Sequence, residues 1–274
     1  MISAPIAGRS ASPPTPKRRD YLSYSTVSSY QRCPLAFFFH YVEGLPETTV
    51  SSSLVFGGAV HRSFEHHFNE LLAGAEPPSL EALMGEYEAA WQGYDSEAIR
   101  YGKDEQRDGL TSLAQRMLAA FQASSLVRPE GIILGVEEEL RGRIVTDCPD
   151  ILGRLDLVVE SSDELIVTDL KTSRSRWSQG QVEESSGQLL LYSELARSLA
   201  PRKRLRLQFA VLTKAKQPAL DLHQVPADRQ RIDRTKRIVE RVWKSIEAGL
   251  FYPAPSPMQC PSCPFREPCR AWTG

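Results

Sequence analysis

The chain has 274 residues, 41% of them hydrophobic and 24% charged, which suits a soluble globular protein of one large domain or two small ones. A formal net charge of −1 excludes a global basic field, so contact with nucleic acid would have to come from local patches. No apolar run approaches the roughly 18 residues needed to cross a bilayer, which excludes a helical membrane protein.

Residues 1–20 are rich in Ser, Pro and Ala and close on Lys17, Arg18 and Arg19 before Asp20. They lack the apolar centre of a secretory signal, and a disordered tail is expected. Three Arg and no acid in residues 1–19 leave a transit peptide as the lesser reading. A cytoplasmic protein is expected, with a single folded domain over 21–274. Tyr21–Tyr41 carries Ser25 as a candidate N-cap and Pro34 as the opening of a second short helix. Phe37, Phe38, Phe39 and Tyr41 are expected in the core rather than stacked on bases.

Val55–Leu72 sets Val60, Phe64 and Phe68 at i, i+4, i+8, the apolar stripe of a helix. His61 and Glu65 form a second i, i+4 pair beside it, able to point into one cleft. His66 and His67 read as solvated or packing residues. Ser79–Gln92 and Asp108–Ser125 are amphipathic helical stretches, the second with Leu110, Leu113, Met117, Leu118 and Phe121 on one face. With the polar linker Gly93–Arg107 they suggest a helical insertion over 73–128. Gly131–Ile144 reads as a strand bearing Glu137, Glu138 and Glu139. One of these could reach a metal, but a solvated edge is favoured.

Ile151–Val159 and Leu165–Leu170 are rich in β-branched and aliphatic residues and are separated by Glu160-Ser-Ser-Asp163, a hairpin signature. With the turn centred between Ser162 and Asp163, Asp156 falls opposite Asp169. Side chains alternate with period two, so Asp156, Asp169 and Lys171 share a face. Opposed like charges destabilise a hairpin unless compensated. A divalent cation would compensate them, since ions such as Mg²⁺ take one or two carboxylates together with substrate phosphates. Ser185–Leu199 is the following helix, with Gln188 and Tyr192 on one face. Arg204–Thr213 reads as a strand, and Pro226–Gly249 as a helix with a mixed, solvated charged face.

The last segment holds Cys260, Cys263 and Cys269. Three thiolates are one short of a closed metal site. Two candidates remain for the fourth. Cys33 shares the Cys-Pro context of Cys260 and Cys263, whereas Cys148 precedes a core strand and reads as a bystander. Five cysteines in a cytoplasmic chain argue for metal binding over disulfides.

Gly-Arg-Leu-Asp156, Asp169-Leu-Lys171-Thr and Gln188-x-x-x-Tyr192, with Gly-x-x-x-His61 upstream, resemble the PD-(D/E)xK nuclease superfamily in its RecB-like branch. One Cys before that core and three after it resemble its iron–sulphur members, the AddB-type and CRISPR-adaptation nucleases. The resemblance implies an α/β fold: a mixed central sheet flanked by helices, with a restriction-endonuclease-like αβββαβ core. It implies His61, Asp156, Asp169 and the Leu170 carbonyl as ligands of Mg²⁺ or Mn²⁺. Asp156, Asp169, Lys171, Gln188 and Tyr192 form the implied catalytic group. Cys33, Cys260, Cys263 and Cys269 would then hold a structural 4Fe–4S cluster, with zinc as the competitor.

The activity so implied is that of a metal-dependent deoxyribonuclease. It would act as an exonuclease on single-stranded DNA ends, in DNA repair, recombination or CRISPR adaptation. DNA is the implied partner. No phosphate loop occurs, so any unwinding falls to a helicase or other repair protein. The rival is a non-cleaving DNA-binding or scaffold subunit of a helicase–nuclease complex, against which the intact acids and lysine argue. The motifs fit RNA cleavage as well.

Overall fold

Strands that alternate large aliphatic residues on both faces need helices on both sides. This chain supplies them from three segments of sequence. The computed structural model describes residues 20–273; the expected tail, Asp20 apart, lies outside them.

The chain opens with β1 (Tyr21–Ser23), α1 (Tyr24–Arg32) and α2 (Pro34–Phe37). A two-residue strand β2 (Val50–Ser51) leads into the long α3 (Ser52–Leu72) and then α4 (Leu80–Gln92). The short β3 (Ile99–Arg100), which pairs with β2, and α5 (Arg107–Gln122) follow. Next come β4 (Ile132–Gly142), β5 (Asp150–Glu160) and β6 (Glu164–Ser173). α6 (Gln179–Ser185) and α7 (Gly187–Ala196) connect them to β7 (Arg204–Thr213) and β8 (Leu220–Val225). α8 (Arg229–Glu247) and α9 (Arg266–Ala271) complete the described chain.

β4 runs antiparallel to β5, β1 runs parallel to the start of β5, and β6 runs antiparallel to its end. β7 lies parallel to β6, and β8 closes the far edge antiparallel to β7. Read through α3, β4, β5, β6, α7 and β7, this is the expected mixed α/β core. One face of the sheet, with Ile151, Val158, Val167 and Phe209, packs on α1, α7 and α8. The other, with Leu157, Val159, Leu170 and Leu212, packs on α3, α4 and α5 through Phe64, Tyr87, Trp91 and Phe121. The helices over 73–128 thus share one core with α3.

Glycine at 153 decides where α7 lies. A Cβ there would sit 2.9 Å from Tyr192 Cδ1 and 2.9 Å from Leu195 Cδ1, so only glycine lets the helix approach β5 so closely. That approach carries Gln188 and Tyr192 toward the Asp hairpin.

Several expectations shift in detail. Ser23, not Ser25, caps α1: it ends β1 in extended conformation, and its side chain accepts from Thr26 N. The helix expected over Ser185–Leu199 is α7, shorter at both ends, and a separate α6 precedes it; the two part at Ser186, whose hydroxyl donates to the Glu183 carbonyl at 2.6 Å. The Gly93–Arg107 linker contains β3, and β8 follows β7 as a short edge strand, both too brief for a period to stand out. Phe37 and Phe39 are buried, as expected of core residues.

Candidate active site and metal centre

The β5–β6 hairpin has the expected register: Glu160 faces Leu165 and Leu157 faces Thr168. One step further the same count sets Asp156 opposite Asp169, and there the ladder stops. The Asp156 carboxylate accepts the Leu170 N–H at 2.7 Å, doing the work of a missing backbone partner. On β4 the pairing of Glu138 with Leu155 and Val136 with Leu157 sets Glu137 at the level of Asp156. Three acids therefore cross three neighbouring strands in one row. Glu137 takes a left-handed backbone, φ 52°, which is uncommon for a residue with a side chain.

His61 reaches this row from α3. Its Nε2 is 3.0 Å from Asp156 Oδ2 and its Nδ1 is 3.2 Å from Glu137 Oε1. Burial alone would depress the imidazolium, but Asp156, Glu137 and Asp169 outweigh it and hold the His61 pKa above its ordinary value. Burial also pushes the Glu137 carboxyl up, partly offset by His61 and Arg154. Arg154 Nε stands 2.7 Å from Glu137 Oε2.

Asp169 is 4% exposed, and burial drives its carboxyl upward in pKa against the pull of the Lys171 ammonium. Its Oδ2 is 2.7 Å from Lys171 Nζ, an ion pair without a well-aligned hydrogen bond. Burial works against Lys171, and Asp169 and Asp156 more than restore its charge. Lys171 Nζ also donates to Gln188 Oε1 at 3.5 Å. Tyr192 is buried; burial lifts its phenol to about 12, while hydrogen bonds with the Arg154 backbone and Gln188 pull it down.

Among the described residues, one group of His, Cys, Asp or Glu offers three ligand atoms within 4.8 Å of one another: His61, Glu137 and Asp156. The fit of a divalent cation can be tested on the acceptors. Glu137 Oε1 and Asp169 Oδ2 are buried and accept no well-aligned hydrogen bond among the described residues, each being held by an ion pair alone, to His61 Nδ1 at 3.2 Å and Lys171 Nζ at 2.7 Å. Carboxylate oxygens with acceptor capacity left over, beside an imidazole, suit a hard cation. Asp169 borders the trio from its pair with Lys171, and Leu170 joins through its backbone N–H.

Of the three glutamates on β4, only Glu137 turns inward; Glu138 and Glu139 are exposed. Period two would have put 137 and 139 on one face, and the left-handed turn breaks that alternation. His67, 0% exposed, gives its Nε2 to the Val127 carbonyl side of the core at 2.9 Å. His66 lies 3.9 Å from Glu86. Glu65 is paired with Arg62 at 2.5 Å.

The sequence model of the PD-(D/E)XK nuclease superfamily matches residues 21–270. The chain belongs to this superfamily. For this PD-(D/E)XK nuclease-superfamily chain, a similar fold occurs in a crystal structure from Eubacterium rectale, provisionally named an exonuclease, at TM-score 0.58 and 14% identity. The match covers 92% of this chain and 88% of that one. SSO0001 is 18% identical over 90% of this chain and 95% of its own, at TM-score 0.37, too low to carry an argument. No curated protein matches the chain.

The cysteines lie apart from this row. Cys33, Cys263 and Cys269 border a small apolar cluster of Leu35, Phe39 and Phe265. Cys260 is exposed, and all five cysteines are free of disulfides. Burial, then the proximity of Cys33, Cys260 and Cys269, raises the Cys263 thiol. No three of their sulfurs lie within 4.8 Å of one another among the described residues. Cys148 sits in the main core beside the α8 side of the sheet. No helix among the described residues is long and apolar enough to cross a membrane.

Proposed function

We propose that this protein hydrolyses phosphodiester bonds of DNA with Mg²⁺ or Mn²⁺ held at the Glu137–Asp156–Asp169 row. The observation that carries this reading is the row itself: three carboxylates level with one another between His61 and Lys171, with three ligand atoms of His61, Glu137 and Asp156 within 4.8 Å of one another. His61, Glu137 and Asp156 would hold the cation, with Asp169 and the Leu170 carbonyl as the remaining candidate donors. When bound, the cation would offset charge on the scissile phosphate and lower the pKa of an attacking water.

The chain's own groups do the rest. Lys171, kept charged by Asp169, presents its ammonium where charge develops on the phosphate oxygens. Gln188 holds Lys171 from α7, and Tyr192 braces Gln188 and the Arg154 backbone from within the core. Arg154, paired through Nε with Glu137 but largely exposed, would meet a neighbouring phosphate with its other donors. Action on single-stranded ends is the finer part of the proposal, and the exonuclease name of the Eubacterium rectale protein is in line with it. A role in DNA repair, recombination or CRISPR adaptation, with a helicase partner, belongs to the same reading.

Cys33, Cys260, Cys263 and Cys269 are proposed to hold a structural 4Fe–4S cluster, with zinc as the alternative. In support, the first of them meets two of the others around one apolar cluster although 230 residues separate the ends. Ligation would close the roughly 230 residues between Cys33 and Cys263 into a loop.

Digestion of end-labelled single- and double-stranded DNA with Mg²⁺ or Mn²⁺ tests the activity. Lys171→Ala and Asp156→Asn, which keeps an acceptor for the Leu170 N–H, should each slow cleavage by about 10²–10³-fold, the scale of losing one transition-state contact. Wild-type activity in either variant would remove the assignment.

A further inference from the structure

A second concave surface opens among the helices that cover the opposite face of the sheet from α3, the helix of His61. It is a cleft of about 610 Å³ between α1, α7 and α8, lined by Tyr24, Gln31, Ser186, Arg231 and Arg234 among others. Its inner end is close to the catalytic face. The Tyr24 hydroxyl would lie 2.7 Å from a Cβ at Gly187, and the next residue, Gln188, accepts from Lys171. Tyr24 makes no side-chain hydrogen bond among the described residues, so its hydroxyl remains available as a donor.

Some basic residues of α8 are paired and some are not, and Arg237 and Arg241, outside the cleft, also lack a carboxylate partner among the described residues. Arg229, Lys236 and Lys244 are paired with carboxylates at Glu194, Asp233 or Glu240. Arg231 and Arg234, which face the cleft, have no carboxylate partner among the described residues. One Nη of Arg231 is spent on the Ser186 hydroxyl at 2.8 Å and the Glu183 carbonyl at 3.3 Å; its remaining donors are unclaimed. Glu183 and Glu184 also line the cleft, but both are exposed and can turn to solvent. Guanidinium groups left without carboxylates, in a cleft leading to a phosphoryl-transfer site, match the spaced charges of a nucleic-acid backbone.

We propose that this cleft carries the phosphodiester backbone of the strand flanking the scissile phosphate, with Arg231 and Arg234 as its phosphate contacts and Tyr24 at its junction with Lys171. This rests on the nuclease reading, and it adds a direction: the strand leaves the catalytic row over α1 and α8. Neither the motifs nor the carboxylate row specifies that direction.

Binding of a fluorescent single-stranded oligonucleotide, with calcium in place of magnesium, separates this proposal from cleavage. Arg234→Gln, at an exposed position, should weaken binding several-fold at low salt and reduce the slope of log affinity on log salt by about 0.7. Arg231→Gln with Arg234→Gln should roughly double that change in slope. Arg237→Gln, on the same helix but outside the cleft, should leave both quantities at wild-type values. Equal losses for Arg234→Gln and Arg237→Gln would mean a diffuse field and overturn the proposal. So would an unchanged slope in the double variant, even while wild-type protein cleaves DNA normally. Crosslinks from a photoreactive 5-iodouracil strand should map to α1 or α8; crosslinks confined to α3 and α4 would also overturn it. If cleavage is absent but these binding changes appear, the nuclease reading fails and the cleft stands.

Discussion

Like charges at one level of a sheet cost stability unless something sits between them. In this protein the row Glu137, Asp156 and Asp169 is answered by His61, Arg154 and Lys171, and Glu137 Oε1 and Asp169 Oδ2 still accept no well-aligned hydrogen bond. Glu137 is the residue that separates a three-carboxylate site from a two-carboxylate one. Glu137→Gln should raise the Mg²⁺ or Mn²⁺ concentration for half-maximal activity by about 10–100-fold. Glu138→Gln and Glu139→Gln, both at exposed positions, should not. A metal titration of cleavage by all three variants checks this. An unshifted Glu137→Gln would confine the site to the hairpin and His61.

Two helices combine packing with function in a way that single residues do not show. α7 buries Leu189, Leu190, Leu191 and Tyr192 together, so Tyr192 is at once core residue and brace. Tyr192→Ala should cost about 3–5 kcal/mol of stability, on the scale of large aromatic deletions. Tyr192→Phe keeps the ring, and should keep the melting temperature while slowing cleavage. Melting curves beside cleavage rates separate the two effects. In α3, His67 is packed against Phe68 and Phe121, and burial lowers its pKa from 6.5. A lowered folded-state value means the unfolded chain binds the proton first as pH falls. Stability is therefore full above about 6.5 and is lost as pH drops from there through the folded value. The raised values of His61, Glu137 and Asp169 act in the opposite sense, so the contribution of His67 is read by comparing thermal melts of wild type and a His67 variant between neutral and mildly acidic pH. His67→Gln should show a smaller pH-dependent fall.

At the scale of the whole fold, the first helices of the described residues are drawn to the segment that follows α8. The Tyr30 hydroxyl donates to the Leu250 carbonyl at 2.6 Å, and Leu35 N donates to the Tyr252 carbonyl at 3.0 Å. Phe39 and Phe265 meet at 6.1 Å between ring centres. A cluster on Cys33 and the three C-terminal cysteines would add ligation to this seam, restricting the unfolded chain far more than the folded one. Protein purified without oxygen should contain about four irons per chain. Cys33→Ser, Cys260→Ser, Cys263→Ser or Cys269→Ser should lose iron and lower the melting temperature. Cys148→Ala should keep the iron, since its thiol lies in another core. Stoichiometric zinc without iron would replace the cluster with a zinc site and leave the nuclease reading intact.

The sequence by itself determined the hairpin and much of what it presents. Period two and one polar turn are local rules, and they suffice to set Asp156 against Asp169 and to turn Lys171 to the same side. The order of helices and strands was equally legible, because helical and strand periods differ over runs this long. Boundaries were not always legible: Ser186 ends α6 through a single hydroxyl, and β8 is an edge strand of six residues. Glu137 was hidden for a different reason. Its place in the row depends on a register shift between Ile133 and Gly135 and on its own left-handed backbone, neither of which has a local signature in three consecutive glutamates. The cleft at Tyr24 depends on α1, α7 and α8 meeting from segments far apart in the chain. Local periodicity can say which residues share a face; only the packed chain decides which faces meet.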